Sequence, residues 1–191
     1  MTAPVAEIRI SLPTWAGELA ARREAYPAAE DRMRLAIELS RENVLRKAGG
    51  PFGAAVFERH SGRVVGVGVN SVVRLANSTL HGEVVALMMA QRRLGSYTLK
   101  AADQPEHELV TSCEPCAMCL GAILWSGVTR VVCGAAREDA TRLAFEEGPV
   151  FPESYQYLER LGVEFTRDVL RDEARAVLEL YRTAGGEVYN G

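Results

Sequence analysis

Three of the four cysteines stand at 113, 116 and 119, and Cys116-Ala117-Met118-Cys119 forms a C-x-x-C pair. At the start of a helix such a pair turns both sulfurs to one side of the first turn, where the positive end of the helix favours thiolate over thiol. A C-x-x-C pair can be redox-active, merely buried, or metal-binding. For a catalytic zinc, two thiolates need at least one further N or S donor. Of the three histidines, His60 falls in a polar turn and His107 just before a strand, whereas His81 opens a predicted helix and is followed two residues on by Glu83. The spacing 113, 116, 119 also fits part of an iron–sulfur site, but there the fourth cysteine follows within a few residues and precedes a proline. Here the next cysteine is Cys133, on a different predicted strand, so Cys113 and Cys133 read as small buried hydrophobes. With His81, Cys116 and Cys119 as ligands, zinc keeps its fourth position for water and lowers that water's pKa to about 7. Glu83 is then free to move protons.

The elements that must position these groups follow from periodicity. Met33, Ile37 and Val44 recur at helical spacing from Glu30 until Gly49-Gly50 closes the segment. Ala54 to Phe57 and Val64 to Val69 read as strands joined by a polar, Gly-containing hairpin loop. Residues 70 to 79 read as a mixed loop, and 80 to 89 as a buried helix ending near Gly95. A strand over 108 to 112 leads to Pro115, which fits the first position of a helix running through Trp125 to Gly127. A strand at 129 to 133 is followed by a Glu- and Pro-rich loop (146 to 153), a helix to 161, a short strand near 163 to 166 and a last helix over about 171 to 183. Helix, hairpin, helix, strand, helix, strand predicts an α/β domain in three α-β-α layers.

The totals narrow the setting. A chain of 191 residues carries one domain with appendages, divided here into an N-terminal extension (1–28), a catalytic domain (29–184) and a tail (185–191). The net charge of −3 argues against a large phosphate-binding surface. No basic stretch followed by an apolar run marks a leader, and no apolar run is long enough for a membrane span. Crowded cysteines without a disulfide framework fit an intracellular, cytoplasmic protein.

His81-Gly82-Glu83 with Pro115-Cys116-Ala117-Met118-Cys119 matches the H-x-E…P-C-x-x-C signature of zinc deaminases. Together with Gly50 to Ala54, Asn70 and Ser126-Gly127, it makes residues 30 to 170 resemble the cytidine deaminase-like superfamily, whose fold has a central mixed five-stranded sheet. The segment Leu143 to Pro149 and the terminal Glu187 to Asn190 are most similar to bacterial guanine deaminases. The resemblance implies hydrolytic deamination of a free amino-heterocycle, guanine to xanthine foremost, with one zinc per subunit. It implies that Glu83 passes the water's proton to the ring nitrogen and the leaving amine, and that Glu147 is a second acidic residue touching the base. Asn70 would bind the purine by its amide, Phe52 would pack on the ring, Phe145 would close the pocket, and the backbone N–H of Gly82 would bind substrate. Tyr189 would lie over an active site, that of the partner in a homodimer with exchanged tails. The family's usual alanine between His and Glu is Gly82 here, which removes a methyl expected on the pocket floor.

Three readings compete with this one. An adenosine deaminase of transfer RNA shares the metal motif but needs a basic groove, for which Arg92, Arg93 and Lys100 are the nearest set. Cytosine or an aminotriazine would use the same chemistry. A purely structural zinc would need a fourth protein ligand, and no further Cys or His stands in an obvious place.

Overall fold

The computed structural model describes residues 7–189. In chain order the elements are α1 (Thr14–Ala20), α2 (Ala29–Leu45), β1 (Gly53–Glu58), β2 (Val64–Val69), α3 (Val72–Leu75), α4 (Gly82–Leu94), β3 (His107–Cys113), α5 (Ala117–Ser126), β4 (Arg130–Ala135), α6 (Arg137–Thr141), α7 (Pro152–Arg160), β5 (Glu164–Thr166) and α8 (Arg171–Thr183). The strands form one mixed sheet of order β2-β1-β3-β4-β5. β1 runs antiparallel to both β2 and β3, and β3, β4 and β5 are parallel. One face is covered by α1, α2 and α8 through Leu19, Met33, Leu39, Val177 and Leu178. The other is covered by α4, α5 and α7 through Leu87, Leu120, Ile123 and Leu158. Each such aliphatic side chain taken fully out of water contributes roughly 1.5–3 kcal/mol. The three-layer α/β expectation is met.

The registers decide where a ligand can bind. Ala54 pairs with both Gly68 and Thr111, and Cys113 pairs with Ala135. The ends of β2, β3 and β4 and the start of β1 therefore share one edge of the sheet. The loops carrying Phe52, Asn70, Cys116 and Glu147 all open there, outside the carboxyl ends of the parallel strands, where open α/β sheets bind ligands. The opposite edge is fastened by charge. Arg32 pairs with the buried Glu108 and donates to the carbonyls of Tyr26 and Arg59 at 2.6 and 2.9 Å, while Arg130 reaches the other oxygen of Glu108 at 3.4 Å. These bonds tie residues 26–32 to the sheet.

Some local structure departs from expectation. The segment over 70 to 79 contains the short helix α3, and a further short helix, α6, follows β4; four or five residues are too few for a helical period to show. Pro115 precedes the helix instead of opening it: Cys116 is the N-cap, extended at φ −70° and ψ 175°, and Ala117 is the first helical residue. In β2 the residues between the valines matter more than the valines. A side chain at Gly66 would meet the Ala90 backbone N at 2.6 Å, and one at Gly68 would collide with the backbone of Gly82 and Ala86. The absent side chains let α4 lie directly on the sheet, and this fixes the height of its first turn.

α6 is held by one carboxylate. Asp139, with a side chain 1% exposed, accepts from Ala136 N–H at 3.1 Å and from Arg171 Nε at 2.9 Å. Burial opposes its ionisation, but these two bonds and the charges of Arg171 and Arg142 win and hold its pKa below the usual value. Asp139→Asn is expected to cost about 2 kcal/mol at neutral pH, read as a lower urea midpoint. A carboxyl with a depressed folded pKa stabilises above its unfolded value of about 3.9 and loses that contribution as pH falls through the folded value. Wild type and variant should therefore keep their difference down to about pH 4 and converge only as pH falls further, through the depressed folded value.

Candidate metal centre and catalytic pocket

The two motif halves meet because each sits at a helix start. His81 is the N-cap of α4 and Cys116 the N-cap of α5. Cys119 lies one turn into α5 and is wholly buried. His81 Nδ1 is 3.5 Å from Cys116 Sγ and 3.6 Å from Cys119 Sγ, and one ligand atom from each residue lies within 4.8 Å of the other two. A tetrahedral zinc with bonds of about 2.3 Å to sulfur and 2.0–2.1 Å to nitrogen separates N from S by about 3.5 Å. The donor triangle therefore fits zinc in both element type and size. Among the described residues no other such cluster of metal-binding side chains occurs.

The electrostatics agree. Hydrogen bonding from Cys119 and His81, against the cost of burial, lowers the Cys116 thiol to about 4. Cys119 is pushed well up by its bond to that thiolate, by burial and by the charge of Glu83. Burial depresses the imidazole of His81, but its bond to Cys116 and the surrounding negative charges outweigh this and raise it. Glu83, at the second position of α4 and 5% exposed, is raised by burial and by the charge of Cys116. Its Oε1 accepts from Thr111 Oγ1 on β3 at 3.2 Å. Glu147 is raised to about 8 by burial and the charges of Cys116 and Glu83. Two thiols and two carboxyls, from two helix starts and the 145–150 loop, oppose one another's ionisation, and a dication held among them would relieve that opposition.

These groups surround a cavity of about 310 Å³, at the small end of the range for ligand pockets. Of the residues singled out from sequence, Phe52, His81, Glu83, Cys116, Phe145, Glu147 and Tyr189 line it. Phe145 is the centre of an aromatic cluster, edge-on to Phe52 at 5.0 Å and to Tyr189 at 5.4 Å between ring centres, and stacked on Tyr181 at 6.1 Å. Tyr189 reaches the cavity from the same chain, its hydroxyl seated against Gly50, where any Cβ would collide with it. Asn70 and Gly82 are buried and do not line the wall. Asn70 Oδ1 accepts from Val72 N–H at 3.3 Å, while its Nδ2 is a buried donor with no partner among the described residues.

Gly82 requires a correction. A Cβ there would point at the Phe52 carbonyl, with O at 3.1 Å and C at 3.3 Å, and not into the cavity. The missing methyl thus relieves a tight contact between α4 and the start of β1 and leaves the pocket floor unchanged. Sequence reasoning also missed Val72, Ser78, Glu114 and Glu146, which complete the wall. For Glu114 a signal existed, a carboxylate two residues before a metal ligand; Val72 and Ser78 come from α3 and the turn after it, where none did.

Comparison with known proteins agrees with the geometry. Residues 27–135 match the family model of the cytidine and deoxycytidylate deaminase zinc-binding region. The chain is 34% identical over 140 residues to a guanine deaminase of Bacillus subtilis, covering 73% of this chain and 85% of that protein. It is 31% identical to a tRNA-specific adenosine deaminase of Buchnera aphidicola, over 67% of this chain and 77% of that one. Its structure superposes on that of a guanine deaminase from Nitrosomonas europaea with a TM-score of 0.89 and 40% identity, covering 95% of this chain and all of the other. The donor triangle, the sheet order and these likenesses lead to one conclusion: the chain belongs to the cytidine and deoxycytidylate deaminase family and is a zinc-dependent hydrolytic deaminase.

Proposed function

We propose that this enzyme deaminates a free amino-heterocycle, guanine foremost, to xanthine and ammonia. The observation that carries this reading is the pair of carboxyls, the buried Glu83 and the half-buried Glu147, facing one small aromatic-walled cavity beside the zinc ligands. A cavity of this volume holds one flat base, and the mutually edge-on rings of Phe52 and Phe145 form one side of its wall. The high overlap with a guanine deaminase, against the shorter match to the tRNA enzyme, supports the same choice.

Zinc, when bound, supplies hydroxide near neutral pH. Glu83 does the rest of the proton work. Its carboxylate accepts a first proton from the attacking water and delivers it to the ring nitrogen next to the amino-bearing carbon; it then takes the second proton from the hydroxyl now on that carbon and gives it to the exocyclic nitrogen as the C–N bond breaks. The bond from Thr111 keeps Oε1 in place while this happens. Burial raises the Glu83 carboxyl, which makes it a better acceptor for that proton than an exposed carboxylate. Glu147 accepts a hydrogen bond from an amino group of the base and assists the second transfer. Asn70 Nδ2, a buried donor beside Tyr189, and the Gly82 N–H lie behind the cavity wall, and each would offer a hydrogen to a ring acceptor once the base displaces what covers it.

The finer organisation belongs to the same reading. Residues 29–184 form the deaminase domain; of the extension over 1–28, residues 7–28 pack on it through Ala16 and Leu19, and 1–6 lie outside the described residues. The tail from 185 caps the cavity, either its own or that of a partner in a homodimer that exchanges tails. The enzyme works in the cytoplasm, in purine breakdown.

The test is ammonia release by the zinc-loaded protein from guanine, cytosine, adenine, guanosine and a transfer RNA. Release from guanine at least 100-fold faster than from the other four is the expected result, the margin set by polar groups left unpaired with a wrong base. Faster release from another substrate would keep the mechanism and overturn the assignment to guanine.

A further inference from the structure

Arg137 opens α6 outside the cavity, and nothing in the sequence marks it for chemistry. Its backbone N–H donates to Glu114 Oε2 at 3.0 Å, and its Nη1 donates to the carbonyl of Val150 at 2.7 Å. The other oxygen of Glu114 accepts from Arg167 Nε at 2.9 Å, so this cavity-wall carboxylate is held from both sides. The segment from Phe145 to Val150, which carries Glu147, has an inner and an outer fastening. At the inner one, the Glu147 carbonyl accepts from Ala117 N–H at the first residue of α5, at 3.0 Å. At the outer one stands the charge-assisted bond from Arg137 to Val150.

We propose that Arg137, with Glu114, is a positioning residue: it clamps the 145–150 segment against the start of the C-x-x-C helix and so sets where the Glu147 carboxyl meets the base. This rests on the role given to Glu147 above. The side chain is 30% exposed, so a methionine can keep its stem packing while removing the donor and the charge. The Arg137 charge also acts on Glu147 directly, against burial and the neighbouring negative charges.

The experiment is a double-mutant cycle on the zinc-loaded protein with guanine as substrate, with zinc content and Tm measured on each variant. Arg137→Met is expected to lower kcat/KM by about tenfold, the usual worth of a charge-assisted hydrogen bond, and by less than about twofold when Glu147 is already glutamine. Arg137→Lys, which keeps a charge and a donor, should recover most of that loss. If Glu147→Gln alone is harmful and Arg137→Met costs the same in both backgrounds, the clamp is wrong and the role of Glu147 stands. If Glu147→Gln alone is harmless, that role fails and the clamp with it. A loss of zinc in Arg137→Lys equal to its loss of activity would make the residue merely structural and overturn the proposal.

Discussion

Glu83→Gln is expected to lower turnover by about a thousandfold, within the range for removing a general acid–base, while zinc stays bound. Glutamine has nearly the same shape and can still accept from Thr111, so the packing around a side chain 5% exposed survives. What it cannot do is take a proton and give it back. The side chain lies outside the donor triangle of His81, Cys116 and Cys119, so metal content should not change. Deamination at the wild-type rate with zinc in place would show that another group carries the proton.

Cys119→Ala should have the second large effect, and of a different kind. Cys119 and Cys133 are both wholly buried thiols, and by packing alone their loss should cost about the same. Only Cys119 stands 3.6 Å from His81 Nδ1. Its loss should reduce zinc affinity by more than the 10- to 100-fold seen when a merely supporting residue is removed. Activity should vanish with it, and Tm should no longer respond to added zinc, because a ligand bound only by the folded state stabilises it. Cys133→Ala should keep its zinc and its activity. Equal zinc content in the two variants would exclude Cys119 as a ligand.

The order of elements and the chemistry were written in local patterns; the walls of the pocket were not. Helical spacing from Glu30, the valines at 65, 67 and 69 and the start signals around His81 and Cys116 are local, and all became the expected elements. The zinc ligands were legible because few residue types can serve and all three fall at the cap or in the first turn of a helix. Val72 and Ser78 were illegible, since an aliphatic side chain in a four-residue helix and a hydroxyl in the turn after it carry no chemical signature. Gly82 was misread for a related reason. Which way a missing Cβ points depends on how α4 lies over Phe52, and that depends on the glycines of β2, a contact between elements that no window of sequence contains.

The edge location of the pocket divides labour between parts of the fold that change at different speeds. The zinc ligands and Glu83 are borne by α4 and α5 and braced by β3, inside the packed layers, where substitution disturbs the core. Most of the other side chains facing the cavity come from the segments around 52, 72–78 and 145–147 and from the tail at 189. Connections accept replacement and insertion at little cost to stability. Changes confined to those connections can therefore reshape what the cavity accepts while the metal ligands and Glu83 keep their places.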